Sequence, residues 1–385
     1  MTDTLFAPAN ARVLGVIRAG IGLAALMELA GSFGRVLALA EPSAVRTPIL
    51  EPVAWVFANA APIVLMAWLV AGVAFSLGLL TTAAGVVLAA VMFGLVTGDG
   101  QLYSNHGYLI AFGVALLTAG GAGVAFSLDA RRRGTDADSV PAWTVFALRA
   151  QLTILYAFSV LAKLNPSFLS GTVIASHLRR GGVGVPEAWI GFESMFVLSI
   201  LVVCAELFLA VALWRARWRP AAFVVGLALH VGIVVAMNEA WALATFSVAT
   251  LSLYVAFIGA PRGGHAVVWD DACSFCGAWV RWFRRFDWLD SLRFAPRSGL
   301  AGSGLPMDAG AALEAMHVVG PHRSSRAFRA VTDVASVLPV TFLVAPLLRV
   351  PPVARVGERI YARVALRRLC RITPGTGQAS DPVRT

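Results

Sequence analysis

The feature that most constrains this chain is a succession of long apolar stretches that fills its first 260 or so residues. A hydrocarbon core about 30 Å thick needs about 20 mostly apolar residues per crossing helix. Inside it every backbone N–H and C=O must be satisfied within the segment, which leaves the α-helix as the spanning element for such a run. On that rule eight spans are expected, at 13–31, 62–80, 82–96, 108–126, 144–161, 194–214, 221–237 and 242–259. The division between the second and third is the weakest, carried by Gly78, Thr81 and Thr82 alone. A short apolar segment at 52–60 reads as re-entrant or interfacial. The whole-chain figures agree: 58% of residues are hydrophobic, 14% are charged and the mean hydropathy is +0.76. Soluble domains run about 45–50% apolar and about 25% charged. The fold class expected is a polytopic α-helical membrane protein of about eight spans, with a further domain behind it.

The net charge of +10 does not indicate a nucleic-acid partner, because the arginines gather at span ends and in the last third. There they set topology and meet anionic headgroups of the lipid bilayer. Ala38-Leu39-Ala40 resembles a cleavage site. The apolar run before it is too long for a signal peptide and is interrupted by Arg18, Glu28 and Arg35, so it reads as a retained first span. Arg131, Arg132 and Arg133 follow the fourth span, and Arg215, Arg217 and Arg219 follow the sixth. The positive-inside rule makes both loops cytoplasmic, with both chain termini on that side of a bacterial-type inner membrane. The loop with Lys163, Arg179 and Arg180 dissents.

From about Arg262 the pattern changes. Strands are expected at 265–269, 292–294 and 316–319, and helices at 273–286, 308–315, 324–338 and 353–369. The domains are read as 1–261 in the membrane, 262–372 as an α/β thioredoxin-like domain, and 373–385 as a polar, disordered tail. Strand, Cys-x-x-Cys, helix, strand is the order of a thioredoxin-like module. Cys273 would open the helix, where unpaired N–H groups and the dipole favour a thiolate, with Cys276 one turn on as the resolving thiol. Asp270 and Asp271 oppose this with nearby negative charge. Two other readings stay open: a pair of inert buried thiols, and zinc shared with His265, His317 or His322. A second close ligand pair is not visible, so no metal is expected. Four cysteines are too few for a disulfide scaffold.

Ionisable residues within spans suggest function. Arg149, Tyr156 and Lys163 recur every seven residues, which places them on one stripe of the fifth span. Lys163 also reads as a snorkelling interfacial lysine. Asn105, His106 and Tyr108 open the fourth span on the side of Lys163. His230 and Glu206 lie within the seventh and sixth spans, with Arg18 or Arg149 available to pair the carboxylate and a backbone carbonyl available to the histidine.

Two resemblances cover most of the chain. WDDACSFCGAWVRWFRRFDWLDSLRFAPRSG, with VGERIYARVALRR later, resembles the DCC family of thiol-disulfide oxidoreductases over about 264–369. Its pattern has Gly where Asp271 stands and often Pro where Ser274 stands. This resemblance implies a redox-active disulfide at Cys273 and Cys276 and a cytoplasmic thiol partner. YSNHGYLIAF, FSLDA and LRAQLTILYAFSVLAKLNPSFLSG resemble the HTTM family, relatives of vitamin K-dependent gamma-carboxylase, over most of 12–259. That resemblance implies an outer-facing site for a membrane quinone or quinol, with Lys163 as base and His106 stabilising the reactive intermediate. Asn105, Tyr108, Tyr156, Arg149 and His230 would line its cofactor-binding part. A lysine in apolar surroundings is easier to deprotonate, which suits a base. Nothing here corresponds to the carboxylase's large lumenal region, so peptide carboxylation is not implied. A quinone-to-thiol relay and a non-enzymatic carrier or lipid-binding scaffold are the competing readings.

Overall fold

The computed structural model describes residues 5–180, 186–237, 240–258, 261–307, 309–321 and 323–369. It divides after Arg262 into two compact units. The tail expected at 373–385, and His322, lie outside the described residues.

The first unit is helical: α1 (Ala11–Leu39), α2 (Glu51–Asn59), α3 (Ala61–Leu77), α4 (Thr81–Gly98), α5 (Asn105–Ala119), α6 (Leu128–Arg133), α7 (Ala142–Lys163), α8 (Pro166–Leu169), α9 (Thr172–Arg180), α10 (Phe192–Ala212), α11 (Arg219–Ala236) and α12 (Ala240–Tyr254). Among the described residues six helices are long and apolar enough to cross a membrane: α1, α4, α7, α10, α11 and α12 with its 3-10 extension to Phe257. The pair α2 and α3 passes the same test together but bends by 92°, the segment at 52–60 forming the short arm. Outward side chains of these helices, such as Ile63, Val70 and Phe158, are apolar and exposed, as a lipid-facing surface requires.

Helix α1 packs against α3, α5 and α12. Its small residues make this possible. A side chain at Gly20 would collide with Ser252 of α12, and one at Gly22 with Ser76 of α3. A short antiparallel pair, β1 (Pro8–Asn10) with β2 (Ser139–Pro141), ties the start of α1 to the start of α7.

The fourth expected span is shorter than the sequence suggests. Helix α5 stops at Ala119, where Gly120 and Gly121 follow and Gly121 adopts φ +73°. The expectation that it runs to 126 is therefore corrected. The non-helical backbone has a use: Ala122 and Phe126 present their carbonyls to the buried guanidinium of Arg18, each at 2.9 Å. Irregular backbone at this depth is tolerated where protein groups satisfy it. The weak division between the second and third spans is a real break. Gly78 caps α3 in the left-handed conformation, and the Asp129 carboxylate accepts from the N–H groups of Leu80 and Thr81 to open α4. Burial pushes the Asp129 carboxyl up, but these bonds, led by Thr81, hold it below its usual range.

The second unit holds a four-stranded sheet of β3 (His265–Trp269), β4 (Leu292–Pro296), β5 (His317–Val319) and β6 (Ser324–Arg326), in the order β4-β3-β5-β6. Strands β3 and β4 are parallel and joined through α13 (Ser274–Phe286), while β3, β5 and β6 pair antiparallel. Helices α14 (Ala309–Glu314), α15 (Ala327–Ala335) and α16 (Pro351–Leu369) complete it. The helix expected over 324–338 is corrected at both ends. Ser324–Arg326 is an edge strand paired with β5, and the helix occupies Ala327–Ala335. Polar Ser324 and Ser325 give no apolar periodicity, so only their pairing partner identifies them as a strand.

Candidate functional site

Two groups of residues carry the chemistry, one in each unit. In the membrane unit Lys163 is the last residue of α7, and Asn165 begins α8 by accepting from the Phe168 N–H. Its Nζ folds back along its own helix. It donates to Ser159 Oγ at 2.5 Å and to Glu206 Oε1 on α10 at 2.9 Å. Ser159 Oγ also donates to Glu206 Oε1. Lys163 is thus an ion-paired lysine, with the Phe168 ring 5.6 Å from Nζ. Glu206 is buried, and its Oε2 has no hydrogen-bond partner among the described residues. The pairing of Glu206 with Arg18 or Arg149 is corrected. Arg18 is bound to carbonyls, and Arg149 donates through Nε and Nη2 to the Ala256 carbonyl at the end of the last span.

His106 is held by a second carboxylate. Its Nε2 lies 2.7 Å from Glu28 Oε2, while Glu28 Oε1 accepts from Ser32 Oγ, which in turn accepts from Arg35. Asn105 and Tyr108 flank it at the start of α5. Asn105 Oδ1 accepts from the Tyr103 hydroxyl, and the Tyr108 ring packs edge-on against Tyr103. Among the described residues His106 and Lys163 share no hydrogen bond.

Tyr156 joins His230 in a buried chain. The Tyr156 hydroxyl lies 2.6 Å from that of Tyr254 and 3.1 Å from His230 Nε2, and His230 Nδ1 lies 3.1 Å from Ser247 Oγ. Ser247 gives its one hydroxyl proton to the Leu243 carbonyl. His230 Nδ1 therefore donates to Ser247, Nε2 accepts from Tyr156, and Tyr156 accepts from Tyr254. His230 thus bonds side chains rather than a backbone carbonyl, which corrects that expectation. The stripe of Arg149, Tyr156 and Lys163 lies on one helix, yet each member serves a different partner. Glu28 was visible in the sequence only as a charge interrupting an apolar run; its spacing to Ser32 was the available signal.

In the second unit β3 ends at Trp269, and Asp270–Ala272 turn the chain into α13. Cys273 stands at the N-cap, partly exposed, and its carbonyl accepts from the Gly277 N–H. Cys276 is buried one turn on. The two aspartates are clamped to the segment after β4. Asp270 Oδ1 accepts from Arg297 Nε at 3.2 Å, and Asp271 accepts from both Ser298 N and Ser298 Oγ. The Ser298 bonds hold Asp271 below the usual carboxylate range. The negative charge beside the thiols is thereby offset in part by a guanidinium. Among the described residues no three His, Cys, Asp or Glu side chains converge as metal ligands. His317 Nδ1 turns to the Ala315 carbonyl, and burial lowers the pKa of His265 and of His317.

Comparisons with known proteins agree with this division. The HTTM domain model matches residues 6–258, and the DCC1-like thiol-disulfide oxidoreductase model matches residues 267–371. No curated protein and no solved structure gives a significant match. The first match covers well over half of the chain and the second follows it directly, so this integral membrane protein belongs to the HTTM family and carries a DCC1-like thiol-disulfide oxidoreductase domain behind its membrane helices.

Proposed function

We propose that the chain is a membrane-anchored dithiol oxidoreductase in which Cys273 is the attacking thiol and Cys276 the resolving one. The observation that carries this is the position of Cys273 at the N-cap of α13, partly exposed, with Cys276 buried one turn behind it. Unpaired N–H groups at a helix start stabilise a thiolate. The strand order β4-β3-β5-β6, with a parallel crossover through α13 and two antiparallel neighbours, supports a thioredoxin-like core spanning 262–372 behind a membrane domain of 1–261. The arginine-rich loops support a cytoplasmic location for it, where thiols stay reduced and meet a thiol partner. The test is thiol-disulfide exchange by the purified full-length protein with a small disulfide. Cys273→Ser is expected to abolish exchange, whereas Cys276→Ser traps a mixed disulfide at Cys273. Undiminished exchange in Cys273→Ser would remove the assignment.

A second reading concerns the membrane unit, where Lys163 serves as base for quinol-type chemistry and His106 assists from another helix. It is favoured by the Lys163–Glu206 pair. Lys163 Nζ and Glu206 Oε1 lie 2.9 Å apart, close enough for a proton to pass between them. A bound quinol would supply the reducing equivalents; Lys163, Glu206 and His106 would hold and move its proton. Lys163→Ala is expected to abolish quinol-dependent turnover while the protein still inserts. Full turnover in that variant excludes the base role.

A further inference from the structure

At one end of the membrane unit four helix termini converge on a group of arginines. Helix α7 starts there, α10 ends, α11 starts, and α12 ends with its extension at Phe257. Aromatic rings join them: Phe146 of α7 packs edge-on against Trp214, and Trp214 edge-on against Phe257. The guanidinium groups of Arg149 and Arg219 both lie against Phe257, 5.2 and 6.0 Å from its ring centroid. Each is tied to one backbone carbonyl, Arg149 through Nε and Nη2 to Ala256, and Arg219 through Nε to Leu213. Among the described residues neither pairs with a carboxylate. Arg149 Nη1 and both Nη atoms of Arg219 likewise have no partner there, and these nitrogens remain accessible. Arg215 and Arg217, exposed in the turn between α10 and α11, add to the positive charge. Cations at a span end that no protein carboxylate neutralises call for an anion from outside the chain.

The surroundings select the source of that anion. Trp214 and the exposed Trp218 flank the arginines, as aromatic side chains do at the headgroup level of a bilayer. Deeper along α7 and α10, Ile154, Leu207 and Val211 are exposed and apolar, a surface for acyl chains to cover. Guanidinium groups bind phosphate oxygens through charge-assisted, often bidentate hydrogen bonds. Basic pockets between membrane helices hold lipid head groups in this way. We propose that Arg149 and Arg219, assisted by Arg215 and Arg217, bind the phosphate of an anionic phospholipid at this end of the helices. The phosphate neutralises the two guanidinium groups and links α7 to α11, while the acyl chains run along α7 and α10. This site is separate from Lys163, which ends the same helix fourteen residues later, about 21 Å along its axis.

The test uses the detergent-purified, full-length protein and native mass spectrometry. Phosphatidylglycerol and phosphatidylcholine are the probes, and inorganic phosphate is the competitor. One phosphatidylglycerol is expected to be retained in preference to phosphatidylcholine, whose trimethylammonium group cancels the phosphate charge. Its affinity is expected to fall about 5-fold in Arg219→Gln and about 25-fold in Arg149→Gln with Arg219→Gln, the share of one and of two arginines at a lipid surface. Arg131→Gln with Arg132→Gln, in α6, is expected to leave the affinity unchanged. Should the Arg149 variant fail to fold, because Arg149 also holds the Ala256 carbonyl, Arg219→Gln alone keeps the test intact. Equal retention of the two lipids overturns the proposal, as does an affinity unchanged in Arg219→Gln or lowered as much by the α6 substitutions. Displacement of the lipid by millimolar inorganic phosphate assigns the arginines to a free anion and overturns the lipid assignment.

Discussion

The membrane helices and the C-terminal unit place their reactive groups by opposite means. In the membrane unit every singled-out ionisable side chain is held by a partner remote in sequence: Arg18 by carbonyls more than a hundred residues on, His106 by Glu28, Lys163 by Glu206. In the C-terminal unit the thiols are placed by one local event, the turn from β3 into α13, and remote contacts serve only to pin the turn's aspartates. The difference follows from the solvent. An unpaired charge in lipid is costly, so helices must bring it a partner, whereas a helix N-terminus offers its dipole and N–H groups wherever it forms.

The largest test of this contrast is Arg18. Its replacement by Met removes the guanidinium donors from the buried carbonyl of Ala122 and the partly buried carbonyl of Phe126, at about 1–3 kcal/mol each. A loss of about 3–5 kcal/mol in thermal or denaturant unfolding of the detergent-solubilised protein is expected. A change under about 1 kcal/mol would break the claim that remote pairing holds the membrane unit together.

Next comes the Lys163–Glu206 pair. Lys163→Met strands a buried carboxylate and is expected to cost about 3 kcal/mol, whereas Lys163→Met with Glu206→Gln should recover much of that loss. The double-mutant cycle measures it directly. Strict additivity would show that the two side chains do not act together.

The smallest effect sharpens the other side of the comparison. Burial holds the folded-state pKa of His265 and His317 below the usual 6.5. Above that value both folded and unfolded chains carry neutral imidazoles and these groups leave stability flat. Below it the unfolded chain takes up protons that the folded one refuses, so stability falls as pH drops from about 6.5 toward the lower folded-state values. The loss is expected to be no more than about 1 kcal/mol per pH unit, because both rings are only partly buried. Hydrogen exchange of the β3 and β5 amides at pH 7.5 and 5.5 reads it. An equal slope in the double His265→Gln, His317→Gln variant would assign the effect elsewhere.

Much of this architecture is legible in the sequence. Apolar runs of about 20 residues announce their own helices, because backbone satisfaction in lipid leaves no alternative. The Cys-x-x-Cys after a short apolar strand likewise announces a helix start. Where legibility failed, the cause was pairing. The helix end at Ala119 depends on Gly120 and Gly121, and on an arginine a hundred residues earlier that uses the freed carbonyls. The edge strand Ser324–Arg326 exists because β5 offers it a ladder, a contact no local pattern encodes.

The sequence by itself determined the apolar helical character of the first unit, the two-part organisation and the thiols at a helix start, since each follows from local hydropathy, propensity or spacing. The tertiary structure alone decided that Lys163 rather than an arginine meets Glu206, that Glu28 holds His106, and that Cys276 lines an aromatic cavity. Such pairings depend on which helix faces approach in space, and a one-dimensional pattern carries the faces but not their neighbours.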